Sequence, residues 1–111
     1  MKKFIEYKKE VVFDALGHYK ITVIKTNDMQ KSIHKRDLGE HDMELTTAIT
    51  VSLNTDTHQE TFIFLSLRPK ASTIAHEAYH AIRRMFKYYD IKMENEAVAY
   101  HLGYLVERIH E

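Results

Sequence analysis

The sequence contains no cysteine, which excludes a disulfide framework, a thiolate zinc finger and a cysteine nucleophile. It has one proline, Pro69, and three glycines, Gly17, Gly39 and Gly103. Such sparse punctuation leaves no linker, so one domain spanning residues 1–111 is expected. No charge is in excess: 16 basic residues balance 16 acidic ones. Nothing in that balance calls for nucleic acid or an anionic membrane as partner. No apolar run approaches the roughly 20 residues of a membrane span. The N-terminal lysines are not followed by the apolar stretch of a signal peptide. Together with the missing cysteines, this leads us to expect a cytoplasmic protein.

What the chain does have is eight histidines, and histidine is the commonest metal ligand among side chains that titrate near neutrality. They lie within an α+β pattern. Val11–Ala15 and Tyr19–Lys25 read as a hairpin with Gly17 in its turn, and Tyr19, Ile21 and Val23 form an alternating apolar face. Asn27 and Asp28 can cap a short helix running to about Leu38 and ended by Gly39. Glu44–Leu53, rich in Thr, Ile and Val, reads as a third strand, followed by a polar turn over Asn54–Gln59. The apolar run Thr61–Leu67 is the clearest strand. Beyond Pro69, Ser72 or Thr73 can cap a helix to Tyr88, with Ile74, Ala78, Ala81, Ile82 and Met85 as its apolar stripe. After a short connection at Asp90–Lys92, a last helix runs from about Met93 to Ile109, its stripe being Val98, Leu102, Leu105 and Ile109. The expectation is a small sheet of about four strands covered by a short helix and two C-terminal helices.

Residues 76–80 read His-Glu-Ala-Tyr-His, the H-E-x-x-H pattern, and they fall inside the first long helix. Residues four apart stack on one helical face, so His76 and His80 can aim ring nitrogens at one point. Glu77 is turned by about 100° from His76, which puts a carboxylate beside that point, where a base could act on bound water. A catalytic zinc site takes three protein ligands and a water. The candidate third ligand is Glu96, in the first turn of the last helix and facing away from that helix's apolar stripe. Each feature also has an ordinary reading. His76, His80, Arg83, Arg84 and Lys87 lie opposite the apolar stripe, as residues of any solvated face do. A carboxylate in a first helical turn is favoured by the helix dipole alone.

The pair HEAYH (76–80) and NEAVAY (95–100) resembles the gluzincin metallopeptidases, which combine HExxH with a downstream glutamate. More closely, STIAHEAYHAIRRMF followed by NEAVAYHLGYL is similar to small phage- and prophage-encoded metallopeptidases. The resemblance is firm over residues 60–106 and loose before them. It implies a zincin-like fold, Zn2+ as cofactor held by His76, His80 and Glu96, and Glu77 as catalytic base. The departure is Tyr100, which stands where thermolysin-type enzymes carry an aspartate that orients a histidine ligand.

The expected activity is therefore zinc-dependent hydrolysis of a protein or peptide substrate. Glu77 would take the proton of a zinc-bound water and pass it to the leaving amine. Tyr100, His101 and Tyr104 are candidates for stabilising the oxyanion, although each also reads as a packing residue. Most side chains of Thr61–Leu67 read simply as buried core; if the strand lies at a sheet edge, its backbone could still pair with an extended peptide. Gly103, on the side of Glu96 and Tyr100, could let the helices approach closely. The competing readings are a non-catalytic zinc-binding interaction module and a zinc hydrolase of non-peptide amides. Glu77 favours an enzyme, because ligation alone does not need it.

Overall fold

A computed structural model describes residues 3–14, 19–39, 47–54 and 59–111. The elements follow the order β1 (Glu6–Phe13), β2 (Tyr19–Thr26), α1 (Met29–His34), β3 (Ala48–Asn54), β4 (Gln59–Leu65), α2 (Ala71–Tyr88) and α3 (Asn95–His110). The expected α+β class holds. The Gly17 turn and residues 44–46 of the expected third strand lie outside the described residues.

The strands form one mixed sheet in the order β1-β2-β4-β3. β1 and β2 pair antiparallel, β2 and β4 parallel, and β3 and β4 antiparallel. β4 is thus an inner strand with both edges used. This corrects the expectation that it could take up a peptide: β3 is the edge strand on that side. The apolar run of β4 has the same cause, since both faces of an inner strand are covered. Ile63 and Leu65 face one core, while Phe62 and Phe64 face the other.

The larger core lies between the sheet and helices α2 and α3. All five residues of the expected α2 stripe are buried in it, together with Phe86, Leu105 and Ile109. Val98 and Leu102 pack on its margin. The opposite face carries a smaller core in which Ile33 and Leu38 cover Ile24, Val51, Phe62 and Phe64. Lys9 Nζ donates to the carbonyls of Arg108 and Glu111, and Lys25 Nζ to that of Ile109. These cations satisfy the free C-terminal carbonyls of α3 and pin it over β1 and β2.

Two helices end alike. Asp37 and Asp90 both have φ of 55°. The amides of Leu38 and Ile91 bond back to the carbonyls of Ile33 and Phe86, and those of Asp37 and Asp90 to His34 and Lys87. This is the Schellman arrangement, with aspartate in the left-handed position. It ends α1 at His34 rather than near Leu38. Asp28 caps α1 through a 3.1 Å bond to the Lys31 amide. The start of α2 differs from expectation: Ser72 and Thr73 lie inside the helix, and Lys70 at its boundary makes no side-chain cap. Among the described residues, no helix is long and apolar enough to cross a membrane.

Candidate active site beside the edge strand

Helix α2 lies over β3 and β4, and its register against β3 is set by two polar contacts. Thr50 Oγ1 donates to Glu77 Oε1 at 2.8 Å, and Arg84 Nη1 donates to Ser52 Oγ at 3.1 Å. Thr50 and Ser52 face α2 because they alternate with Val51, which faces the other core, along a period-two strand. The alternation of polar and apolar residues in Thr50-Val51-Ser52-Leu53 is the sequence signal for these two partners, which the H-E-x-x-H pattern does not carry.

His76 and His80 do converge. Their Nε2 atoms lie 3.1 Å apart, with ring centroids 4.6 Å apart at 79°. Glu77 Oε2 is 3.8 Å from His76 Nε2. The three differ in exposure: Glu77 is 8% exposed, whereas the His76 side chain is 68% exposed. The carboxylate is therefore held between sheet and helix while the imidazoles reach toward solvent. An open pocket of about 290 Å³ joins Glu77 and His80 to Ala48, Ile49, Thr50 and Arg84. It runs along the edge strand.

The expected zinc centre does not form. Among the described residues, no group of three or more His, Cys, Asp or Glu side chains is placed to hold a metal ion. His76 and His80 offer two nitrogens, short of the three protein ligands a catalytic zinc needs. Glu96 is exposed in the first turn of α3 and joins no such group with them. Rotation and position along the helices both keep it away. Nine residues separate Glu96 from buried Leu105, which turns the carboxylate about 180° away from the core on its own helix. His76 stands in the same relation to Met85. Both side chains leave the solvent side of their own helices. The helices run antiparallel and the rings of Phe86 and His101 lie 5.4 Å apart, so His76, ten residues before Phe86, and Glu96, five before His101, lie on opposite sides of that contact. Zn2+ as cofactor is thereby overturned.

Of the other expected participants, His101 and Tyr104 are placed as packing residues and Tyr100 is exposed. His101 lies against the rings of Phe13 and Phe86, and its Nδ1 is 2.8 Å from the Ala97 carbonyl. Tyr104 packs edge-on against Phe13 and accepts from Arg108 Nη1 at 3.0 Å. Tyr100 is 74% exposed. None of the three lines the pocket at Glu77. Gly103 is exposed, and a Cβ built there meets nothing within 4 Å, so it does not serve a close helix approach.

Searches against protein families, curated proteins and solved structures find no match to this chain. The resemblance to metallopeptidases rests on the sequence segments around HEAYH and NEAVAY alone.

Proposed function

We propose that the chain hydrolyses peptide bonds, with Glu77 as the base. Glu77 takes a proton from a water in the adjoining pocket. The water oxygen attacks the scissile carbonyl carbon, the C–N bond breaks, and the proton passes to the leaving amine. An imidazole N–H of the His76–His80 pair, beside Glu77, supplies a donor for the oxyanion. The substrate lies extended along the outer edge of β3, where backbone pairing can hold it across the pocket.

One observation carries this reading. A nearly buried carboxylate is fixed by Thr50 at the rim of an open pocket beside β3, whose outer edge pairs with no other strand among the described residues. A carboxylate with only a structural part to play has no need of that opening or of two imidazoles beside it.

The test is turnover of a mixed peptide library by wild type and Glu77→Gln, read by mass spectrometry of new termini. Glutamine keeps an oxygen to accept from Thr50 but cannot take a proton. We expect wild type to cut and Glu77→Gln to lose at least about a hundredfold in rate. Equal rates refute the role of Glu77. If wild type cuts nothing yet binds peptides, the same strand edge is that of an interaction module, the second reading.

A further inference from the structure

Helix α2 carries three cations just past the proposed reacting centre. Arg83, Arg84 and Lys87 are exposed, and among the described residues none of them forms an ion pair. Some cations elsewhere are matched, Lys35 and Arg36 with Glu6, Lys20 with Glu10 and Glu60, and Arg108 with Glu111; others, such as Arg68, Lys70 and Lys92, form no ion pair among the described residues, but they are not grouped with one another around a pocket as these three are. In a chain with no net charge, unmatched cations gathered on one helix face make a local positive field.

The cations also have a shaped setting. A pocket of about 460 Å³ is lined by His80, Arg83, Arg84, Lys87, Ile91 and Met93. A neighbouring one of about 400 Å³ adds Ser52, Gln59 and Tyr88 to Arg84 and Lys87. Arg84 belongs to both, and to the pocket at Glu77. Its bond to Ser52 holds one nitrogen and leaves the rest of the guanidinium fork free to grip an anion. Ile91 and Met93 offer an apolar wall for the stem of a side chain.

We propose that this basic pocket is a specificity site for a carboxylate side chain of the peptide, an Asp or Glu lying toward the Asn54 end of β3. This rests on the peptide-hydrolysis reading for its register, though the pocket's affinity for a carboxylate does not depend on cutting. Seven residues separate Glu77 from Arg84, about 10 Å along the helix, and an extended peptide covers that in about three residues. The acidic residue therefore sits about three positions from the cut bond.

The experiment uses full-length protein and two sets of fluorescent ten-residue peptides, otherwise neutral. One carries a single Glu at successive positions, and its partner carries Gln at the same position. Binding is read by fluorescence anisotropy at low salt on Glu77→Gln protein, which leaves the peptides intact. The best Glu peptide should bind at least about tenfold tighter than its Gln partner, as expected for charge-assisted contacts to guanidinium. The doubly substituted protein Arg83→Gln/Lys87→Gln should lose that preference to within about twofold. Both residues are exposed, and a matching thermal midpoint confirms that the fold persists. Equal binding of Glu and Gln peptides overturns the proposal. So does a neutral peptide set outcompeted by a single-stranded oligonucleotide that binds through the same two residues. A Glu preference without any cutting by wild type leaves this pocket standing and removes the hydrolytic reading. Cutting without a Glu preference does the reverse.

Discussion

The Thr50 hydroxyl donates to the Glu77 carboxylate at 2.8 Å, joining the edge strand to the first long helix. This contact decides where the carboxylate sits, because Glu77 faces neither solvent nor the apolar stripe but the boundary between helix and sheet. Thr50 is itself buried, at 7% exposure. Replacing Thr50 with valine keeps the shape and removes the donor. One carboxylate oxygen then loses its partner at a residue only 8% exposed. We expect Thr50→Val to lower unfolding free energy by about 1–3 kcal/mol, the usual cost of a stranded buried polar group. Urea denaturation reads this directly. Thr50→Ser retains the hydroxyl and should recover most of the loss. If valine is as stable as threonine, the hydrogen bond is not what holds Glu77.

A second carboxylate ties the first strand to the short helix. Glu6 accepts from Arg36 Nη1 at 2.6 Å and from Lys35 Nζ at 2.9 Å. The hydrogen bond from Arg36, helped by those from Lys35 and Ser32, outweighs the opposing effect of burial. It holds the Glu6 carboxyl at a pKa of about 2, against an ordinary value of 4.5. A carboxylate whose pKa is depressed on folding binds protons more weakly folded than unfolded. Its contribution is present in full above about pH 4.5 and fades as the pH falls toward 2. We expect Arg36→Gln to raise the Glu6 pKa toward the ordinary range and to cost on the order of 2 kcal/mol at neutral pH. The difference from wild type should vanish near pH 2. Carboxyl chemical shifts followed against pH, alongside stability at several pH values, test both halves. A penalty that persists undiminished at low pH would place the role of Arg36 in packing instead.

The type and order of the elements were legible because each is set by a local period. The α2 stripe from Ile74 to Met85 is an example, and every member of it is buried. The placing of His76, Glu77 and His80 was legible for the same reason, since one helix sets their mutual geometry. Boundaries were less so. β1 begins at Glu6, before the apolar residues start, because an outer strand leaves much of its first half exposed. α1 stops early because Asp37 adopts a left-handed conformation, which aspartate tolerates and a periodicity argument does not foresee. The juxtaposition of Glu96 with the histidine pair needed two helices to meet at a given rotation. That depends on packing across the core at Phe86, Leu105 and Ile109, and no spacing within either helix carries it. The edge position of β3 likewise follows from strand order, which the apolar run of β4 did not fix, since buried side chains are compatible with an inner or an outer place in the sheet.

Gly103 lies in the middle of α3 with an open side. A Cβ at this position meets no atom within 4 Å, and the residue has ordinary helical backbone, since the positive φ values among the described residues belong to Asp37, Gly39 and Asp90. Glycine in a helix interior carries extra backbone freedom in the unfolded chain, which alanine reduces without adding strain here. We expect Gly103→Ala to stabilise the protein by up to about 1 kcal/mol. Thermal unfolding should show the midpoint rising by several degrees, about 4–8 °C per kcal/mol in a domain near this size. The readout also bears on α3 as a whole. A lowered midpoint would mean that the added methyl group meets a neighbour, and that α3 packs more closely at this point than the open space around Gly103 allows.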